Sequence, residues 1–179
     1  KELSKPLENN KVLVIGAGAI GLLCGLIISK VKNCNNITII EPNDKRLIKS
    51  LKYLDADGFK PNNKSLLNNN FDIVFDTVGL EVTRQQAIKS IKPGGVIIHI
   101  GLTQPAGNFD FRKATLQEIT FIGTYCYTNK DFEKTLSILN EKKIGDLGWI
   151  EYRKLKEGAS AFKQIHEGTC ESPKVILLI

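Results

Sequence analysis

Short runs of aliphatic and aromatic residues at 12–15, 37–40, 71–75 and 96–100 punctuate the first hundred positions. None alternates with polar residues, so each reads as a strand buried on both faces of a parallel sheet. Helical patterns lie between them. An apolar stretch runs to Ile28, and Asn33 to Asn36 then make a polar turn. Asn43 is placed to cap a helix with Leu47, Ile48, Leu51 and Leu54 on one face and Lys45, Arg46, Lys49 and Lys52 outside. Leu80, Ala87, Ile88 and Ile91 mark a third helix, stopped by Lys92-Pro93-Gly94-Gly95. A short strand near Phe59 closes the first half, where Asn62-Asn63 and residues 68–70 bracket a short polar helix or loop. In the second half, residues 109–111 predict a short strand before a helical turn from Arg112, and 118–124 predict the last core strand. Thr128 and Asp131 form a capping pair for a helix built on Phe132, Leu136 and Leu139. Two β-α-β-α-β halves of this kind predict an α/β fold with an open, mostly parallel, doubly wound sheet and right-handed crossovers. Ligand is then expected beyond the carboxyl ends of the strands.

The pattern changes at Gly145. Residues 149–152 suggest a strand, 156–166 a helix stopped at Gly168, and 174–179 a strongly apolar final strand that needs a partner surface. Residues 1–10 read as a polar lead-in, 11–144 as the main domain and 145–179 as an appendage.

Chemistry enters at the first strand. Gly16, Gly18 and Gly21 complete G-x-G-x-x-G where that strand gives way to the apolar helix. The first glycine permits the tight exit, the second lets backbone approach a pyrophosphate, and the third lets helix and strand pack closely. The new helix presents free N–H groups and a positive dipole end to an anion. Alone the motif is weak. The second strand, however, ends in Glu41, about twenty residues on, where a dinucleotide site places an acid for the adenosine ribose. Two plainer readings compete: a tight turn without ligand, and a membrane span over 12–28, against which three glycines and the strand-like start both argue.

Lys and Arg outnumber Asp and Glu by 25 to 19, a net charge of +6. The lysines are scattered without dense runs or interleaved aromatics, which favours a solvated surface over a nucleic-acid or lipid partner. Cys24, Cys34, Cys126 and Cys170 have no metal-ligand spacing, and only His99 and His166 could join them. They read as buried free thiols in a reducing cytoplasm. The start is no signal peptide.

The predicted strand ends bring Gly16 to Gly21, Glu41, residues 76–79, Gly101-Leu102 and Thr124-Tyr125 to one crevice suited to a flat, extended ligand. A catalytic set is not evident. There is no G-x-S-x-G elbow and neither histidine has a nucleophile partner. His99 reads as a structural histidine or a proton shuttle, the former favoured. Asp76 reads as a loop-holding or ribose-binding carboxylate in preference to a general base. Tyr125 and Tyr127 lack the Tyr-x-x-x-Lys spacing of short-chain reductases.

These blocks, taken in order, resemble the coenzyme domain of medium-chain dehydrogenases/reductases, the zinc-type alcohol and polyol dehydrogenase group. The resemblance rests on Lys11-Val-Leu-Val-Ile-Gly-Ala-Gly-Ala-Ile-Gly, Ile39-Ile-Glu-Pro-Asn-Asp-Lys-Arg-Leu and Phe71-Asp-Ile-Val-Phe-Asp-Thr-Val-Gly. It continues through Lys92-Pro-Gly-Gly-Val-Ile-Ile-His-Ile-Gly-Leu, Glu118-Ile-Thr-Phe-Ile-Gly-Thr and Pro173-Lys-Val-Ile-Leu-Leu. The glycine turn fits the zinc-type branch better than the zinc-free quinone reductases. The resemblance implies a Rossmann fold with NAD. Its pyrophosphate would lie on Ala19-Ile20, at the turn of Gly16, Gly18 and Gly21, and its adenosine ribose on Glu41. Arg46 would flank the adenine beside Thr77 and Val78, and Gly79 would also contact the cofactor. Ile100, Gly101, Leu102, Thr124, Tyr125 and Cys126 would face the nicotinamide, and Lys174 would approach the pyrophosphate or stay a plain surface lysine.

The family's GroES-like catalytic domain, which supplies the catalytic zinc and the substrate pocket, has no counterpart in this sequence, and neither does its structural-zinc lobe. The favoured reading is therefore the NAD-binding domain of an enzyme moving hydride between NAD and an alcohol or polyol, zinc-assisted through a domain outside this chain. The isolated chain would be inactive and zinc-free, and segment 145–179 would cover a face of that other domain. Two alternatives are a free-standing NAD-binding module and an S-adenosylmethionine-dependent methyltransferase; the blocks at 76–79 and 100–102 speak against the latter. Three further expectations are NAD over NADP, because of Glu41, a homodimer through the edge near 109–111 and 118–124, and no nucleic-acid or membrane partner.

Overall fold

Six strands pair side by side, all parallel, in the order β3-β2-β1-β4-β5-β6. They are β1 (Val12–Ile15), β2 (Ile37–Ile40), β3 (Asp57–Phe59), β4 (Phe71–Asp76), β5 (Ile91–His99) and β6 (Thr120–Gly123). Between them run α1 (Ala19–Lys30), α2 (Asp44–Leu51), α3 (Glu81–Ser90) and α4 (Phe111–Leu116), and α5 (Asn129–Asn140) follows β6. This computed structural model describes residues 7–63, 66 and 71–179. The expected polar segment around 64–70 lies, apart from Leu66, outside the described residues.

The absence of alternation in the strands has its reason in the packing. Val12 and Val14 join a core on one face of the sheet with Leu22 and Leu26 of α1, Ile39, Leu54 and Trp149. Leu13 and Ile15 join a core on the other face with Val74, Ile97 and Ala87 and Ile88 of α3. Every position of β1 and β2 is buried, because helices cover both sides. Both predicted caps form. The Asn43 side chain accepts the Arg46 N–H at 3.0 Å, and Thr128 and Asp131 exchange side-chain to backbone bonds.

Some expectations are corrected. Residues 109–111 are not a strand: Asp110 accepts the Lys113 N–H at 2.7 Å and starts α4, so a local cap overrides the β-preference of two phenylalanines. Lys92 to Gly95 do not separate helix from strand but form a bulge inside β5. Phe71 pairs with Ile91 and Ile73 with Val96, which sets four residues opposite Asp72 alone. Such a bulge is where a sheet tolerates proline, which has no N–H to donate. Ile48 does not share the buried face of α2; it is 59% exposed. Cys126 is exposed rather than buried.

The last segment forms a second, smaller unit. β7 (Ile150–Lys154) and β8 (Lys174–Leu178) pair in parallel, joined through a 3-10 turn at Leu155–Glu157 and α6 (Gly158–His166). Its strands are only partly buried. Trp149, just before β7, is fully enclosed in the first core.

Candidate functional site

The parallel arrangement puts the carboxyl ends of all six strands at one edge of the sheet, and the ends of β1, β4 and β5 meet in backbone contact. Gly16 has φ +98°, and a Cβ on it would lie 2.6 Å from Val78 Cγ2. A Cβ on Gly21 would lie 1.8 Å from the Gly16 carbonyl oxygen, so α1 can start this close to β1 only with glycine there. The next junction repeats the device. Gly79, at φ +76°, would drive a Cβ to 2.0 Å from the Gly101 oxygen, and one on Gly101 would reach 2.1 Å from the Val78 carbonyl carbon. Thr77 locks the first junction by donating its hydroxyl to the Ile15 oxygen at 2.7 Å. Gly18, by contrast, has open space where a side chain would be, and no side chain caps the N-terminus of α1. The uncapped turn therefore presents backbone N–H groups to whatever occupies the crevice.

Glu41 and Asp76 end their strands with different tasks. Asp76 is fully buried; Oδ1 accepts the N–H groups of Val78 (3.1 Å) and Gly79 (2.9 Å), and Oδ2 accepts the Thr83 hydroxyl (3.2 Å). It holds the β4 loop. His99 Nε2 lies 3.6 Å from Asp76 Oδ2, beyond hydrogen-bond distance, and its ring rests against Phe121 with centroids 5.6 Å apart. The Glu41 carboxylate is only 3% exposed. It accepts the Ala17 N–H of the glycine turn at 2.9 Å and the Asn43 N–H at 3.0 Å, and Arg46 Nη1 approaches to 3.5 Å.

Arg46 borders two cavities. One, of about 440 Å³, is lined by Gly18, Ala19, Arg46, Lys174 and apolar residues of α6 and β8. The other, of about 490 Å³, lies over Glu41, Asn43 and Arg46. The Arg46 Nε is buried with no hydrogen-bond partner. A glycine turn with free N–H groups and two cations beside it fit a pyrophosphate-bearing ligand.

A family model described as zinc-binding dehydrogenase matches residues 19–141. The chain belongs to the zinc-binding dehydrogenase family. Among curated members, probable D-xylulose reductase A of Aspergillus clavatus is 27% identical over 180 residues, covering 92% of this chain and 49% of its own length. Sorbitol dehydrogenase 1 of Saccharomyces cerevisiae is 23% identical over 167 residues, covering 85% and 46%. The chain thus spans about half the length of the curated relatives it matches. Among solved structures, an alcohol dehydrogenase from a Thermus species superposes with a TM-score of 0.83 at 22% identity, over 95% of this chain and 51% of its own. An Escherichia coli alcohol dehydrogenase solved with NADH superposes with a TM-score of 0.84 at 21% identity, over 97% and 53%. These likenesses show the same fold.

Within this family member, the sequence-predicted residues fall into two groups. Gly16, Gly18, Ala19, Gly21, Thr77, Val78, Gly79 and Gly101 meet at the strand junctions, and Glu41, Arg46 and Lys174 border the same crevice. Ile20, on the first turn of α1, is exposed. Ile100 and Leu102 follow β5, while Thr124 and Tyr125 follow the outermost strand, where Tyr125 is 78% exposed. Sequence reasoning missed Arg84, whose guanidinium binds the carbonyls of Gly79, Gln104 and Ala106 and so ties down the loop after β5. It also missed the segment 168–172 against α2. Neither carries a motif. Among the described residues no three His, Cys, Asp or Glu side chains cluster as metal ligands.

Proposed function

We propose that this chain is the coenzyme-binding part of an NAD-dependent dehydrogenase acting on a small alcohol or polyol. The observation that carries the reading is the uncapped N-terminus of α1 at the glycine turn, facing the Arg46 and Lys174 cations and flanked by Glu41. The names of the relatives, a xylulose reductase and a sorbitol dehydrogenase, and the NADH in the Escherichia coli structure support it. Ala19 and Ile20 would receive the pyrophosphate, Glu41 the adenosine ribose, and residues 100–102 with Thr124 and Tyr125 the nicotinamide. Bound NAD supplies the hydride acceptor; this chain's own contribution is to bind and orient it. The described residues do not gather a donor set for zinc, so no step through zinc is assigned to them. Zinc and the substrate pocket would come from a further domain, the segment 145–179 would cover part of that domain, and the chain alone would be inactive.

Three further parts of the reading concern its surroundings. The edge strand β6 carries Phe121 exposed and no charge along Thr120–Gly123, which suits two-fold pairing of sheets into a homodimer. Four cysteines without a disulfide suit a reducing cytoplasm. Among the described residues no helix is long and apolar enough to cross a membrane.

NAD is preferred to NADP because a 2′-phosphate would meet Glu41. Like charges ~4 Å apart cost about 1 kcal/mol in water and about 4 kcal/mol at an effective dielectric near 20. Two N–H groups and Arg46 already offset this carboxylate, so the lower end applies, about fivefold. Calorimetric titration of the chain with each dinucleotide tests it. Equal or tighter NADP binding overturns the preference, and binding of neither overturns the reading.

A further inference from the structure

The loop between α6 and β8 touches α2 and its N-cap at four points. The Asn43 side chain donates to the Gly168 carbonyl, and Arg46 Nη2 donates to the Cys170 carbonyl at 3.2 Å. Lys45 Nζ pairs with Glu171 at 2.5 Å, and Lys49 Nζ donates to the Ser172 hydroxyl at 2.5 Å. These partners lie more than a hundred residues apart in sequence, so only the fold joins them. One of the four contacts falls on the residue that decides the charge beside Glu41. A guanidinium can turn its donors to a carboxylate, a carbonyl or a phosphate, but each bond is directional and its fork is rigid. Here Nη1 lies 3.5 Å from Glu41 and Nη2 donates to the Cys170 carbonyl, while Nε is buried without a partner.

We infer that the loop 168–172 acts as a latch on α2 that holds Arg46 against Glu41, and thereby sets the choice between dinucleotides with and without a 2′-phosphate. The inference rests on the proposed function. With the latch closed, Arg46 is committed to the protein's own acceptors and does not swing outward to a phosphate beside the ribose. With the latch open, its charge becomes available to that phosphate while Glu41 loses its nearest cation partner. Arg46 and the loop are therefore positioning elements; Lys49 and Glu171, which close the latch from outside the crevice, are where it is opened without touching the ligand.

The test is titration of the chain with NAD and with NADP in four forms: wild type, the double variant Lys49→Ala/Glu171→Ala, Arg46→Ala, and all three substitutions together. Opening the latch is expected to move the ratio of dissociation constants toward NADP by about fivefold, the order that two exposed polar contacts supply. In the Arg46→Ala background the same opening is expected to leave the ratio unchanged, and Lys49→Arg with Glu171 intact is expected to keep the wild-type ratio. Thermal melts of each form read the fold separately. If the double variant remains folded and both affinities fall by the same factor, or if the shift persists without Arg46, the inference is overturned. If the wild-type chain binds neither dinucleotide, the proposed function falls and takes the inference with it.

Discussion

β1 and β8 are both short, aliphatic and parallel to their neighbours, yet every residue of β1 is buried while β8 is only partly covered. The difference lies in what surrounds them. β1 runs between β2 and β4 with helices over both faces, whereas β8 has β7 as its one partner in a two-stranded sheet. An aliphatic run states a demand for cover without naming what provides it. The six-stranded sheet meets that demand within the chain; the 150–178 unit meets it only in part.

The buried side depends most on the glycine turn. Gly21→Val would put a Cβ 1.8 Å from a backbone oxygen that cannot step aside. A loss of about 4 kcal/mol or more is expected, read by urea unfolding, with dinucleotide binding abolished. Next comes a matched pair of truncations. Leu13→Ala, in a fully enclosed position, is expected to cost about 3 kcal/mol. Leu178→Ala, at a half-exposed one, is expected to cost less than about 0.5 kcal/mol in the same assay. Equal costs would mean that the small unit is as well covered as the large sheet.

β6 belongs to the large sheet but forms its edge. Phe121→Lys is expected to convert a dimer into monomer by light scattering, and Leu177→Lys in β8 is not. A dimer that survives Phe121→Lys in a folded protein would move the interface away from this edge.

The smallest effect concerns Asp72, which joins β4 to its neighbours by accepting the Lys11 N–H at 2.7 Å and pairing with Lys92. Partial burial pushes its carboxyl up, but the bonds from Lys92 and Lys11 outweigh that and hold it below the ordinary value. A carboxyl lowered on folding stabilises above its unfolded pKa of about 3.9, and that contribution fades as pH falls through the folded value. Asp72→Asn is therefore expected to cost about 1 kcal/mol at pH 7, discounted for the exposure of Lys92, and almost nothing near pH 2. Denaturation at the two pH values measures the difference.

Most of the fold was legible because its signals are local. The runs at 12–15 and 37–40 became strands with those bounds, and the caps at Asn43 and Thr128 started the helices they predicted. Two segments departed from expectation where local signals competed. At 109–111 the Asp110 cap prevailed over aromatic β-preference, and at 92–95 a proline and two glycines served a bulge instead of a boundary.

By itself the sequence determined the alternation of strands and helices, the glycines that only a close strand-to-helix turn requires, and the acids that end β2 and β4. Those properties follow from backbone sterics, side-chain shape and periodicity, which operate over a few residues. Tertiary structure alone decided that Asp76 holds its own loop, that Glu41 turns inward to the Ala17 N–H, and that Arg46 is shared between Glu41 and Cys170. Polar side chains have several acceptors and donors within their chemistry, and which of them is met depends on what the folded chain brings within about 3 Å.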